Sequence, residues 1–79
     1  MEKYLLTKKE YGHITLRLQT LMDERGINRN QLARAIGVTF PVIDKWYKGK
    51  VERIDADVLA RICYVLDCRV EDILTYEPN

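Results

Sequence analysis

The 79-residue chain contains no serine and only one histidine, His13, so the residues that usually carry hydrolytic catalysis are nearly absent. A Ser-His-Asp triad is therefore excluded, and a Cys-His pair would require His13 to reach one of two cysteines. The chain also lacks a glycine-rich phosphate loop, because its four glycines are isolated and spaced as helix terminators. We interpret His13 as a surface loop residue and expect no enzymatic activity.

Cysteine is scarce as well, since only Cys63 and Cys68 are present and their spacing is not that of a C-x-x-C motif. One histidine cannot complete two pairs of zinc ligands, so we interpret both cysteines as small core residues and expect neither a metal nor a cofactor. No apolar run approaches the roughly 18 residues that a membrane-spanning helix needs, and no signal-like leader is evident. These features predict a cytoplasmic protein without a membrane partner.

The formal net charge is only +1, but the charges are unevenly distributed. The segment from Arg25 to Arg53 carries seven basic and two acidic residues, whereas the segment from Ile54 to Asn79 carries two basic and six acidic residues. The basic middle segment therefore predicts contact with a polyanion, and the acidic segment could orient its approach.

The length of the chain predicts a single domain. A chain this short buries only about 60% of the surface that its unfolded form exposes, which favours a compact helical core. We expect an all-α fold, a compact bundle of about five short helices. In this interpretation residues 14–76 form the domain, residues 1–13 form an N-terminal tail or strand, and residues 77–79 form a C-terminal tail.

The first helix is predicted from apolar residues at helical spacing, which include Ile14 and Leu18, and it should end just before Gly26. Ile14 and Leu18 also belong to an alternating apolar pattern, so a short strand before the helix is an open alternative. Asp55 is expected to cap a fourth helix. A short fifth helix, Val70 to Leu74, is expected to cover the core.

Two amphipathic helices separated by one Gly-containing turn are predicted in the middle of the chain. Asn28 can cap the first of them, at about residues 29–36, and Gln31 three positions later completes a variant of the capping box. Thr39 is the predicted N-cap of the next helix, at about residues 40–48. This arrangement is typical of a helix-turn-helix, whose second helix reads DNA.

The second of these helices should have distinct inner and outer faces. At 100° per residue, Ile43 and Trp46 fall on one side, which we expect to be buried. The residues expected on the opposite side are Pro41, Asp44, Lys45 and Lys48. A polar outer face followed by a basic loop would fit the major groove, with phosphate contacts at its edge.

The chain resembles the Cro and lambda-repressor-like helix-turn-helix family over about Ile14 to Tyr76. The motifs that carry the resemblance are Glu24-Arg25-Gly26, Leu32-Ala33, Gly37-Val38-Thr39, Ile43, Trp46, Lys48-Gly49-Lys50, Leu66-Asp67-Cys68 and Asp72-Ile73-Leu74. The resemblance implies a bundle of about five helices, in agreement with the count above, and the function of a small bacterial or phage-like regulator.

The resemblance also implies roles for individual residues. The family's base-reading positions are occupied by Thr39, Phe40, Pro41 and Lys45. The positions that contact phosphates are occupied by Arg29, Lys48, Lys50 and Arg53. Asp44 lies among the base-reading residues, where we expect its carboxylate either to accept a hydrogen bond from a cytosine amine or to restrain Lys45.

This sequence departs from the family pattern at four positions. Phe40 and Pro41 cannot make bidentate hydrogen bonds to base edges, so readout there would be apolar, for example against a thymine methyl group. Asp67 stands where a glycine usually follows the fourth helix, and Arg69 stands where a serine or threonine usually caps the fifth. Both changes should weaken local geometry without changing the fold.

The leading functional hypothesis is a sequence-specific transcriptional regulator that binds double-stranded DNA by docking its third helix in the major groove. Four phosphate contacts per subunit predict that log K falls with log salt at a slope of about −3.6. A homodimer is a further expectation, since one such domain covers only a half-site. The alternative is a protein-interaction module, such as the antitoxin of a toxin–antitoxin pair, because one fold can serve several functions.

Overall fold

The structure, a computed structural model, describes residues 10–79 and contains five helices and two short strands in that part of the chain. The elements in chain order are β1 (His13–Leu16), α1 (Leu18–Arg25), α2 (Arg29–Ile36), α3 (Phe40–Tyr47), α4 (Ala56–Leu66), α5 (Val70–Ile73) and β2 (Leu74–Glu77). The five predicted helices are therefore confirmed, and so is the alternative of a strand before the first helix.

The predicted capping box at the start of α2 is present. The Gln31 amide donates to the Asn28 side chain at 2.8 Å, and the Asn28 amide donates to the Gln31 side chain at 2.9 Å. Asp55 likewise caps α4, since its carboxylate accepts hydrogen bonds from the amides of Asp57 and Val58 in the first turn, at 2.9 and 3.1 Å. These bonds satisfy donors that have no partner within the helix, which fixes where each helix begins.

Thr39 has the extended backbone of an N-cap, but its side chain makes no capping hydrogen bond. Thr39 is therefore the N-cap residue of α3, as predicted, but it holds this position through its backbone alone, and the helix begins at Phe40. The end of the helix differs slightly from the prediction, because Lys48 is the C-cap and the last helical residue is Tyr47.

An apolar core lies between the helices. Its buried residues are Leu18, Leu21, Met22, Leu32, Ala33, Ile36, Ile43, Trp46, Ile62, Leu66 and Ile73. The core draws on all five helices, so α2 and α3 are held by packing on their inner sides. Burial of such apolar surface is the main favourable contribution to folding in a domain of this size.

Strands β1 and β2 form a two-stranded antiparallel sheet that pairs His13 with Glu77 and Leu16 with Leu74. His13 is exposed as predicted, but it lies in a strand rather than in a loop. Gly12 is not a helix terminator, since a Cβ atom there would overlap the carbonyl oxygen of Glu77. This close approach of the two strand ends requires glycine.

The second strand was not predicted. Leu74, expected to be the last residue of the fifth helix, instead begins β2 and is half-buried. Val70 was expected to cover the core together with Ile73, but it is 48% exposed, whereas Ile73 is fully buried. Of the predicted N-terminal tail, residues 1–9 lie outside the described residues, and the sheet includes the last residue of that tail, His13.

Within residues 10–79, none of the helices has both the length and the apolar character needed to cross a membrane.

Candidate nucleic-acid interface

Helix α3 is fixed by its inner face and leaves its outer face accessible. Ile43 is fully buried and Trp46 is 3% exposed, as the helical spacing predicted. Pro41, Lys45 and Lys48 are exposed on the other side. Gly37 ends α2 with a φ of 76°, a left-handed conformation that glycine adopts without strain, and the chain then turns into α3. The arrangement presents a short rigid helix to the outside of the molecule.

Arg29 connects the start of α2 to α3. Its guanidinium donates to the Asp44 carboxylate at 2.6 Å, and its central carbon lies 5.4 Å from the centre of the Phe40 ring and 4.7 Å from that of Tyr47. Contacts of this kind between a guanidinium and an aromatic ring are attractive. The structure thus brings one predicted phosphate-binding residue into contact with two predicted base-reading residues.

Asp44 has a second cationic partner one turn further along α3. Lys48 Nζ lies 3.0 Å from the other carboxylate oxygen, and the Asp44 side chain is 22% exposed. The hydrogen bond from Lys48, together with that from Arg29, holds the pKa of the Asp44 carboxyl below its usual value, although burial opposes the shift. The carboxylate therefore pairs with Arg29 and Lys48. It does not pair with Lys45, which was one of our two expectations for Asp44.

The basic loop after α3 starts with a well-defined turn. The Lys50 amide donates to the carbonyl of Lys45 at 2.9 Å, and Gly49 takes a positive φ of 70°. Lys50 and Arg53 are both exposed, and a shallow groove beside them has an apolar floor that includes Val42. The turn thus places two cations next to the exposed face of α3.

Tyr47 is a member of this cluster that the sequence reasoning missed. It lies on α3 beside Arg29, where its ring is half-buried. No short-range pattern could reveal the contact, because Arg29 and Tyr47 belong to different helices. An arginine at the first position of α2 and an aromatic residue at the last position of α3 are the signals that could have suggested it.

The two cysteines lie apart from this surface and are unpaired thiols that pack partly against the core. Burial, followed by the neighbouring Cys63 thiol, raises the pKa of Cys68 to about 11. A thiol with so high a pKa is protonated near neutral pH and is a poor nucleophile or metal ligand. Among residues 10–79 there is no group of His, Cys, Asp and Glu side chains that could hold a metal ion.

A five-helix bundle in which α2, a glycine turn and an outward-facing α3 follow one another is a helix-turn-helix domain. The chain belongs to the Cro/C1-type helix-turn-helix DNA-binding domain family, whose model matches residues 17–79. The resemblance drawn from the sequence motifs is thereby confirmed.

Solved structures give the same fold. The chain is similar to the transcriptional regulator VanUg, with 26% identity and a TM-score of 0.69 over 98% of this chain and 100% of that one. It is also similar to a Bacteroides fragilis protein described as DNA-binding, with 17% identity and a TM-score of 0.71 over 80% of this chain and 100% of that one. A third similar structure is the SinR/SinI protein complex, with 22% identity and a TM-score of 0.64 over 70% of this chain and 53% of that one. A comparison with curated proteins finds no match.

Proposed function

We propose that this protein is a sequence-specific transcriptional regulator that docks α3 in the major groove of double-stranded DNA. The observation that carries the proposal is the division of α3 into a buried side, with Ile43 and Trp46, and an exposed side next to a basic loop. The major groove of B-DNA, about 12 Å wide, admits one α-helix. Membership of a DNA-binding domain family supports the same conclusion.

The exposed residues at the start of α3 and on its outer face would contact base edges. Thr39 lies before the helix with a hydroxyl that makes no capping bond, so that it can donate to or accept from a base. Phe40 and Pro41 offer apolar surface suited to a thymine methyl group, and Lys45 can donate to guanine acceptors. Asp44 lies between these residues.

Four basic side chains would hold the phosphates on either side of the groove. These are Arg29, Lys48, Lys50 and Arg53. Contacts to phosphates fix the register of the protein on the duplex and carry no sequence information themselves. Each neutralised phosphate contributes about −0.9 to the slope of log K against log salt.

Selection of bound duplexes from random DNA tests this proposal directly. We expect enrichment of a defined motif, and a palindrome with half-sites about one helical turn apart would indicate a homodimer. Binding to the enriched duplex should weaken steeply as salt increases. A slope near zero, or no enrichment at all, would contradict the proposal.

Two lysines on α3 give a sharper test of the geometry. Lys45→Ala should change which base is preferred, because Lys45 faces the base edges. Lys48→Ala should leave base preference unchanged and should weaken binding to all sequences alike. If the two variants had the same effect on base preference, the assigned orientation of α3 would be wrong.

A second candidate function is a protein-interaction module, such as an antitoxin, that uses the same fold. The supporting observation is exposed apolar surface far along the chain from α3: Tyr64 on α4 is 87% exposed, and the cross-strand neighbours Ile14 and Tyr76 are 53% and 56% exposed. A similar structure, SinR/SinI, is a complex of two proteins. Copurification of a partner without measurable DNA affinity would favour this function over the first.

A further inference from the structure

Asp44 is an unusual residue to find at the centre of a surface that would bind a polyanion. Its carboxylate lies on the third helix together with the base-reading residues, and it is only partly shielded from solvent. A carboxylate at such a position repels phosphates. Its two oxygens are bonded to Arg29 and Lys48, at 2.6 and 3.0 Å.

Both partners of Asp44 are cations to which we assign phosphate contacts. In the free protein the carboxylate partly neutralises their charges. The four phosphate-binding side chains, Arg29, Lys48, Lys50 and Arg53, together with Asp44 therefore carry an effective charge of about +3. An incoming phosphate must compete with Asp44 for Arg29 and for Lys48. The aromatic rings of Phe40 and Tyr47 further restrict where the Arg29 guanidinium can move.

We propose that Asp44 restrains non-specific DNA binding by holding Arg29 and Lys48 in intramolecular ion pairs. This inference rests on the proposed DNA-binding function. Binding to random-sequence DNA depends almost entirely on phosphate contacts. Its affinity therefore falls when two of the four cations are paired with Asp44. A cognate site adds base contacts through α3 that offset the cost of this competition, so a cognate duplex still binds at salt concentrations where a random duplex does not.

The size of the effect follows from the contact distances. A phosphate oxygen that accepts a hydrogen bond of about 2.8 Å from Lys48 lies at most about 6 Å from the nearer Asp44 oxygen. Repulsion between unit charges at about 6 Å corresponds to a change in affinity between roughly 3-fold and 100-fold, for dielectric constants of 80 and 20. Removal of the Asp44 charge should therefore strengthen non-specific binding about tenfold.

The test measures binding of the full chain to a labelled random-sequence duplex of about two helical turns, over a series of salt concentrations. The variant Asp44→Asn removes the charge and preserves the shape of the side chain. The control Glu77→Gln makes the same change in net charge on β2, outside the helix-turn-helix. We expect Asp44→Asn to bind about tenfold more tightly than Glu77→Gln. With Asp44 ionised, the three effective charges give a slope of about −2.7 per subunit in place of the value of about −3.6 expected from the sequence for four unpaired cations, and Asp44→Asn should restore about −3.6.

A second comparison, a double-mutant cycle, measures the coupling between Asp44 and Lys48 in DNA affinity. The substitution Lys48→Gln should weaken binding more in the Asp44→Asn background than in the wild type, because in the wild type Asp44 already offsets part of that charge. Thermal melting confirms that each variant is folded. If Asp44→Asn does not fold, Asp44→Ala serves instead, since alanine is the residue most compatible with a helix.

Failure of this inference can be distinguished from failure of the proposed function. If the wild type binds the duplex without dependence on salt, or binds neither this duplex nor any duplex selected from random DNA, the proposed function is overturned. If the wild type binds with a steep slope but Asp44→Asn binds no better than Glu77→Gln, only the restraint by Asp44 is overturned. Weaker binding by Asp44→Asn would show that the carboxylate positions the two cations for DNA, which also contradicts the inference.

Discussion

Replacement of Trp46 by alanine should remove a large part of the stability of the domain. The Trp46 side chain is 3% exposed and lies in the apolar core. Removing a buried tryptophan side chain costs about 3–5 kcal/mol, through lost burial and the cavity that remains. At roughly 0.05–0.15 kcal/mol per residue, a chain of this length has a free energy of unfolding of about 4–12 kcal/mol. The substitution therefore removes between a quarter and all of it.

Urea denaturation followed by circular dichroism measures this loss without reference to DNA. The matched control is Phe40→Ala on the same helix. The Phe40 side chain is 39% exposed and its ring contacts Arg29. The control should cost clearly less than Trp46→Ala, because Phe40 lies outside the buried core and its contact with Arg29 is worth about 0.5–1 kcal/mol. If Trp46→Ala unfolded normally and lost only DNA affinity, Trp46 would be a base-stacking residue and the assigned inner face of α3 would be wrong.

Three further predictions concern local geometry and thiol chemistry. Asn28→Ala should destabilise the domain by about 1 kcal/mol, because it removes the cap of α2, and an unchanged urea midpoint would contradict this. Asp67→Gly should stabilise the domain by about 0.5–1 kcal/mol in the same assay, because Asp67 has a positive φ of 50° that glycine adopts without strain. A loss of stability in this variant would refute the prediction. Alkylation of Cys68 should be slow at pH 8 and should accelerate up to about pH 11, because its raised pKa keeps the thiol protonated at lower pH. Peptide mass spectrometry locates the label, and rapid labelling of Cys68 at pH 8 would contradict this prediction.

The helices could be predicted because their boundaries depend on nearby residues. Gly26 takes the left-handed conformation that ends α1, and the bonds between Asn28 and Gln31 that begin α2 involve residues three positions apart. The two faces of α3 also follow from local geometry, since helical periodicity separates Trp46 from Lys45. The boundaries and faces of a helix thus depend on residues that lie within one or two helical turns of each other.

Contacts between distant segments could not be predicted in the same way. Leu74 has an apolar side chain that suits either the end of a helix or a strand, and only its partner Leu16 on β1 decides between them. The pairing of Asp44 with Arg29 depends on how α2 and α3 pack. Its pairing with Lys48, by contrast, is an i, i+4 contact that helical spacing could have indicated.

The sheet has a consequence for the order in which the protein folds. β1 and β2 come from opposite ends of the described chain, and the Gly12 amide donates to the Tyr76 hydroxyl across 64 positions. Bringing such distant residues together carries a loop-closure entropy cost of roughly 4 kcal/mol, which a two-stranded sheet alone does not recover. The helices must therefore assemble first and bring the strands together. The sheet then forms late in folding and opens early in unfolding, so its backbone amides exchange with solvent sooner than those of the buried helices.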